Sequence, residues 1–401
     1  MSYLSKKNQL LSILQNPKFL LTLWVIICGV ASLKQYLISD IAQGNCHYNN
    51  FRIFYYSFEH LLQGKNLYDA YPSQYFDLYL YGPIFALLVA PFYYLPESIG
   101  IILWGAISAW ILFKAIWSLP LNSSSKATII WISTNNLITS ALNLQFNAIC
   151  AAMIIFSFTY VLRKKDLYSA FFIILGTLIK IYGIIGVCFF VFSKNKTKAI
   201  VWSLCFTVVL LLLPAIICGP TFAVQCYKDW YDVLALKNAG NINITGNQLD
   251  VCVMGMVRKI TQNPHLSNLY YIVAAMLLMA ASFLNFKLHK NLNFQIALLG
   301  SLLMFIILAS TGSESPTYII AFPGVGIWYV LERKKNFLSI SLLVLTLLIS
   351  SFSPTDLFPR FVRVNYLQPY ALMALPVFLV WLRLNYLMIT NQLKPIEHTV
   401  E

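Results

Sequence analysis

KNKTKAIVWSLCFTVVLLLLPAIIC, residues 194–218, is the stretch that sets the class of the protein. Lys194, Lys196 and Lys198 lead into a run that carries no further charged side chain. At about 1.5 Å of rise per residue, a helix of about 20 apolar residues covers the roughly 30 Å hydrocarbon layer of a bilayer. Runs of the same kind recur along the 401 residues. Hydrophobic residues make up 59% of the chain and charged ones 10%, against about a quarter charged in an ordinary soluble domain. The expected fold class is therefore all-α, a polytopic transmembrane helical protein.

The formal net charge of +14 does not mark a nucleic-acid partner. Basic residues fall in short clusters between apolar runs: Lys6 and Lys7, Arg163 to Lys165, the lysines at 194–198, Lys287 with Lys290, and Arg333 to Lys335. That is the pattern of cytoplasmic loops under the positive-inside rule. The opening MSYLSKKNQLLSILQNPKFLLTLWVIICGVASL lacks a small-residue cleavage site after a short apolar core, so it reads as a retained first helix. The eight cysteines show no CxxC pair, although Cys46, Cys226 and Cys252 fall in expected outer segments where a disulfide can form. The five histidines have no metal-ligand spacing, so no metal site is expected.

Placing every basic cluster inside constrains the crossings. Runs at 18–39, 98–117, 126–141, 145–162, 198–218, 267–286, 292–311, 315–332, 336–352 and 366–387 read as helices. Residues 168–193 read as a hairpin broken near Lys180. This gives about 12 transmembrane helices in one membrane domain spanning 1–401, with both termini cytoplasmic. The apolar piece 82–96 is short and bracketed by Pro83, Pro91 and Pro96, which fits a re-entrant or interfacial helix on the outer side. Two long outer segments follow, 40–97 and 219–265, each longer than a plain turn.

The first of them carries the chemistry of interest. NFRIFYYSFEHLLQ, residues 50–63, spaces Phe51, Phe54, Tyr55, Phe58, Leu61 and Leu62 on one helical face and puts Arg52, Ser57, Glu59, His60 and Gln63 on the other. An amphipathic interfacial helix ending at Gly64 is expected. The tyrosine-rich continuation holds Asp69 and Asp77; aromatic faces with carboxylates suit a sugar, and such residues also occur in ordinary surface loops. Polar intrusions into apolar runs weigh more. Asn143, Gln145 and Asn147 stand at the outer start of one helix, Lys180 at an outer turn, and Glu314 before Pro316 at another helix start. Ionisable groups at such depth are costly and usually functional, the alternatives being snorkelling for Lys180 and helix capping for Glu314. A cation there suits an anionic leaving group and a carboxylate suits a general base. Arg258 and Lys259, with Arg360 and Arg363, are further phosphate or lipid-headgroup candidates. No nucleotide-binding motif is present, so an enzyme here needs an energised substrate delivered through the membrane, such as a lipid-linked phosphate donor.

Taken in order, NFRIFYYSFEHLLQGKNLYD, YGPIFALLVAPFYYLP, NLQFNAI, a basic turn, GTLIKIYGIIGVCFFVFSKN and GNQLD resemble glycosyltransferase family 87 over about residues 15–335. These are GT-C-fold membrane enzymes related to polyprenol-phosphate-mannose-dependent α-mannosyltransferases. The resemblance implies an inverting, metal-independent transfer on the outer face, without cofactor. The donor is a polyprenyl-phosphate sugar, mannose first, and the acceptor a lipid-linked or surface glycan. Its tyrosine–proline motif is Tyr81-Gly82-Pro83, its Gly-Gln pair falls on Leu144-Gln145, and its lysine on Lys180. Its aspartate at the start of the amphipathic helix falls on Asn50, whose amide cannot act as a base near neutral pH. Asp77 then comes first as catalytic base, followed by Asp40 and Glu314; Asp69 reads as a local turn cap. Lys180 and Arg258 are expected on the donor phosphate. Asn50, Arg52, Tyr79, Tyr81, Gln145, Asn147, Asn247 and Gln248 are expected on the sugar and acceptor, with membrane lipids as further partners. A flippase or transporter of lipid-linked sugars and a catalytically silent relative are the rival functions.

Overall fold

The computed structural model describes residues 12–242, 244 and 249–395. Among these the regular structure is helical, apart from a tight turn in which Asp40 and Asn45 exchange two backbone hydrogen bonds of 2.8 and 2.9 Å. Among the described residues, four helices are long and apolar enough to cross a membrane: Pro17–Leu37, Glu97–Trp117, Lys196–Cys218 and Leu292–Ala309. Shorter apolar helices fill in between them, among them Asn147–Leu162, Asp166–Ile179, Leu269–Phe283 and Ala374–Ile389. The run at 194–218 shows why a bilayer is needed. Ile200, Leu204, Val208 and Leu212 recur every fourth residue on one face and are 53–63% exposed. A stripe of that kind is stable against lipid chains and not against water.

Contacts gather the chain into two units, one of Met1–Ile26, Ala109–Thr139 and Asn241–Glu401, the other of Ile27–Ser108 and Ser140–Gly240. They are called here the terminal unit and the inserted unit. In the inserted unit the almost wholly buried helix Asn147–Leu162 forms the core, packed by Asp166–Ile179 and the 3-10 helix Ile181–Phe192. In the terminal unit the corresponding place is held by Leu292–Ala309, against Phe322–Leu331 and Ala374–Ile389.

The hairpin expected at 168–193 breaks at Lys180, whose backbone is extended between the two helices. The amphipathic helix is observed at Asn49–Leu62 and is followed by Gly64 in the left-handed conformation (φ 63°). Its setting differs from the open interface expected. Phe51, Phe54, Phe58 and Leu61 are buried, and so are Arg52, Ser57 and His60 of the polar face. The loop after the helix folds back over that face: Gln74 bonds His60 at 2.7 Å and the Tyr71 ring lies 3.8 Å from the imidazole.

One segment gains detail and one helix boundary is corrected. The segment 219–265 is mostly helical, with Pro220–Asn241 and Val253–Thr261; Pro220 at the first helical position is well placed to start the longer one. The helix expected at 366–387 starts at Ala374, because Pro369 has no N–H to give and Ala371 is left-handed (φ 50°). All eight cysteines are free thiols.

Candidate functional site

Within the inserted unit, five of the residues singled out by sequence fall on three neighbouring pieces of chain. The first piece is the turn at Lys180. The chain can fold back there because Gly183 lies against the backbone of the preceding helix: a Cβ on it would sit 2.4 Å from Gly176 C and Thr177 N. The second piece is Tyr81-Gly82-Pro83. Gly82 N–H donates to Ile179 O at 3.1 Å, and a Cβ on Gly82 would come within 1.8 Å of Leu178 O. Only glycine permits that approach, and it docks Tyr81 onto the end of the helix that delivers Lys180. The third piece is the turn 143–147, where Leu144 is left-handed (φ 49°) and its carbonyl accepts from Trp104 Nε1 at 3.1 Å. A bulky residue rarely adopts that conformation, and the glycine that the resemblance implies here would adopt it without strain.

Lys180 Nζ donates to Asn147 Oδ1 at 2.7 Å and stands 6.0 Å from the Tyr81 ring centroid and 5.1 Å from that of Tyr182. Asn147 Nδ2 in turn donates to Gln145 Oε1. Asn147 is buried, whereas Lys180, Gln145 and Tyr81 are half-buried. Tyr81 is held by Phe54, Phe85 and Phe146, at 5.2, 4.7 and 6.0 Å between centroids. Asn50 Nδ2 donates to the carbonyl of Asn143 at 2.8 Å, tying the start of the amphipathic helix to the same turn. A half-open ammonium among amides and tyrosine faces can meet an anion, and its cation–π contacts set its position.

The remaining candidates are held by other partners. Arg52 faces the other side of its helix, 3.7 Å from Glu97, with Nη2 donating to Tyr56 OH at 3.2 Å; Tyr48 OH also donates to Glu97, at 2.8 Å. Tyr79 is fully buried and its hydroxyl donates to Gly82 O at 3.1 Å, so it braces the loop from within. Asp77 is exposed and left-handed (φ 71°); each of its carboxylate oxygens accepts from Lys237 Nζ at 2.9 Å, and Oδ1 also accepts from Leu78 N–H at 2.9 Å. Asp40 caps the short turn it opens, accepting from Gln43 N at 3.3 Å.

Glu314 and Arg258 belong to the terminal unit. Glu314 N–H donates to Thr317 Oγ1 at 3.1 Å, and that hydroxyl donates back to Glu314 O at 2.7 Å, a helix-start arrangement. Arg258 is wholly buried and grips Asp250 through Nη2 at 2.6 Å and Nε at 2.9 Å. Asp250 N–H and Val251 N–H donate to Thr311 and Ser313 carbonyls at 3.1 and 2.9 Å. Lys259, also buried, donates to Leu249 O at 2.9 Å, and burial lowers its pKa. Asn247 and Gln248 lie outside the described residues.

Sequence reasoning did not find Trp104, Tyr182 or Trp230, whose Nε1 donates to Leu80 O at 3.1 Å. Tyr182 had a signal, two residues beyond the intrusive lysine; the two tryptophans had none. Among the described residues no group of three His, Cys, Asp or Glu side chains is placed to hold a metal ion.

No curated protein sequence matches the chain. The profile of glycosyltransferase family 87 matches residues 79–311, a range that runs from Tyr79 through Tyr81, Gln145, Asn147 and Lys180 to Thr311 and covers more than half of the sequence. The helical membrane chain that carries the Lys180 cluster belongs to glycosyltransferase family 87.

Proposed function

We propose that the protein transfers a sugar, mannose in first place, from a polyprenyl-phosphate donor to a lipid-linked or surface-glycan acceptor on the outer face of the membrane. The transfer inverts the anomeric centre and uses neither metal nor nucleotide. The observation that carries this reading is the half-buried Lys180 ammonium, fixed by Asn147 at 2.7 Å beside the Tyr81 ring. In the reaction the acceptor oxygen forms a bond to the anomeric carbon while the bond from that carbon to the phosphate oxygen breaks. The phosphate leaves with the electron pair, and Lys180 stabilises the charge that develops on it. Tyr81, Gln145 and Asn147 hold the sugar, and Asn50 positions the turn that presents them. The acceptor proton goes to Asp77, the exposed carboxylate on the loop that leads into Tyr81.

The catalytically silent reading has one observation in its favour. Asn50 donates its amide N–H to a carbonyl, a role that an aspartate anion, having acceptors only, cannot take.

The test is to incubate the reconstituted protein with polyprenyl-phosphate-mannose and a lipid extract, and to measure released polyprenyl phosphate together with any mass gain on an acceptor. Turnover that falls by roughly 10²–10⁴ in Asp77→Asn is the expected result for loss of a general base. Turnover that survives the substitution moves the base elsewhere. Donor binding without turnover establishes the silent relative, and donor protection that changes with membrane sidedness establishes a flippase.

A further inference from the structure

The terminal unit contains a cleft of about 430 Å³, formed where the helix Phe322–Leu331 ends and Phe337–Leu345 begins. Its lining includes Glu332, Arg333, Lys334, Asn336, Arg383 and Gln392. Arg383 reaches across from Ala374–Ile389 and binds Glu332 bidentately, at 2.8 and 3.0 Å. Glu332 is almost sealed, its side chain 2% exposed, while that of Arg383 remains 25% exposed. The one lining carboxylate is thus matched by Arg383, and Arg333 and Lys334 add surplus positive charge to the same cleft.

Neighbouring groups strengthen that field. Lys394 is brought in by its N–H, which donates to Leu331 O at 2.8 Å. The Lys335 ammonium bonds Tyr329 O; desolvation brings its pKa down to about 8, with the Glu332 carboxylate opposing the shift and the like charge of Lys394 adding to it. Immediately beyond the cations, Phe337 and Leu338 are 87% and 57% exposed. Cations in a cleft with bare apolar side chains next to them match the boundary of a bilayer, where phosphate meets acyl chain.

We propose that this cleft binds the phosphate group of an anionic phospholipid, with Arg333 and Lys334 as its charge partners and the open edge of Arg383 and the amides of Asn336 and Gln392 as donors. The site belongs to the terminal unit and does not depend on the glycosyl-transfer reading. The shared chemistry is a phosphoryl anion, and the source named here is the lipid headgroup.

The experiment follows the unfolding midpoint of the detergent-solubilised protein as phosphatidylglycerol, phosphatidylcholine or inorganic phosphate is titrated. Phosphatidylglycerol should raise the midpoint saturably and phosphatidylcholine should not. The double variant R333Q/K334Q should weaken the phosphatidylglycerol response by roughly thirtyfold in concentration, from about a fivefold contribution per cation. Both side chains are exposed, so its midpoint without lipid should match that of the parent. K287Q/K290Q, which removes another basic pair of the same unit, should leave the response intact. Inorganic phosphate saturating the site as tightly as the lipid would overturn the lipid as the source. An equal loss in both double variants, or no saturable response, would overturn the site.

Discussion

Lys180 of the inserted unit and Arg258 of the terminal unit are each the cation of a polar cluster set into an apolar chain, and the two clusters are finished differently. Arg258 has no exposed surface, and a carboxylate grips it twice. Around it, Asp250 and Val251 are laced to Thr311 and Ser313, so the cluster pins one loop to another. Lys180 stays half-buried, is aimed by a neutral amide and is flanked by two tyrosine rings. A sealed, matched cation holds a structure together, whereas a cation left partly open at the end of a rigid helix can meet a charge that arrives from outside. By sequence alone both residues were phosphate-site candidates, and burial separates them.

The comparison predicts a large stability effect on the sealed side. Asp250→Ala leaves a buried guanidinium without its partner and should cost about 3–5 kcal/mol in denaturant unfolding. A loss below about 1 kcal/mol would make Arg258 more adaptable than its burial implies. On the open side, Gly82→Ala forces a Cβ against Leu178 O. It should cost about 1–3 kcal/mol, and it should displace Tyr81 from Lys180, read as a loss of donor binding greater than the loss of stability. Equal donor binding in that variant would break the link drawn between the glycine and the lysine.

The loop that carries Tyr81 adds a pH test. Burial lowers the pKa of His60 from its ordinary 6.5, against a smaller opposing effect of its bond to Gln74. Glu59 favours its charged form and Lys65 disfavours it, and the rings of Tyr56, Tyr71 and Tyr75 surround it. A group that folds neutral destabilises the fold when it must take up a proton. The stability it supports is therefore complete above its unfolded pKa and falls as pH drops below about 6.5. The unfolding midpoint should fall between about pH 7 and pH 5, and His60→Gln should reduce that fall. The smallest effect is expected at Asp77 and Lys237, whose side chains are 51% and 29% exposed; Lys237→Ala should change stability by less than about 1 kcal/mol.

Much of the candidate site was legible because it consists of exceptions. A lysine in GTLIKIYG and amides in NLQFN stand out from apolar surroundings, and the order of the motifs carried the family. What escaped depends on backbone conformation and on partners distant in sequence. Nothing local shows that Leu144 is left-handed, that Ala371 delays the last helix, or that Asp250 pairs with Arg258. Periodicity reports the polar face of the amphipathic helix and not the loop that folds over it. Tyr79 was placed on the sugar for the same reason: composition marks a tyrosine, while its burial and its bond to Gly82 come only from the fold.

The most direct test of the central claim is the rate at which reconstituted protein releases polyprenyl phosphate from polyprenyl-phosphate-mannose, compared between the parent chain and Lys180→Gln. If Lys180 holds the departing phosphate, the rate falls by roughly 10²–10³ while the unfolding midpoint stays close to that of the parent. A variant that turns over as fast as the parent would contradict the account.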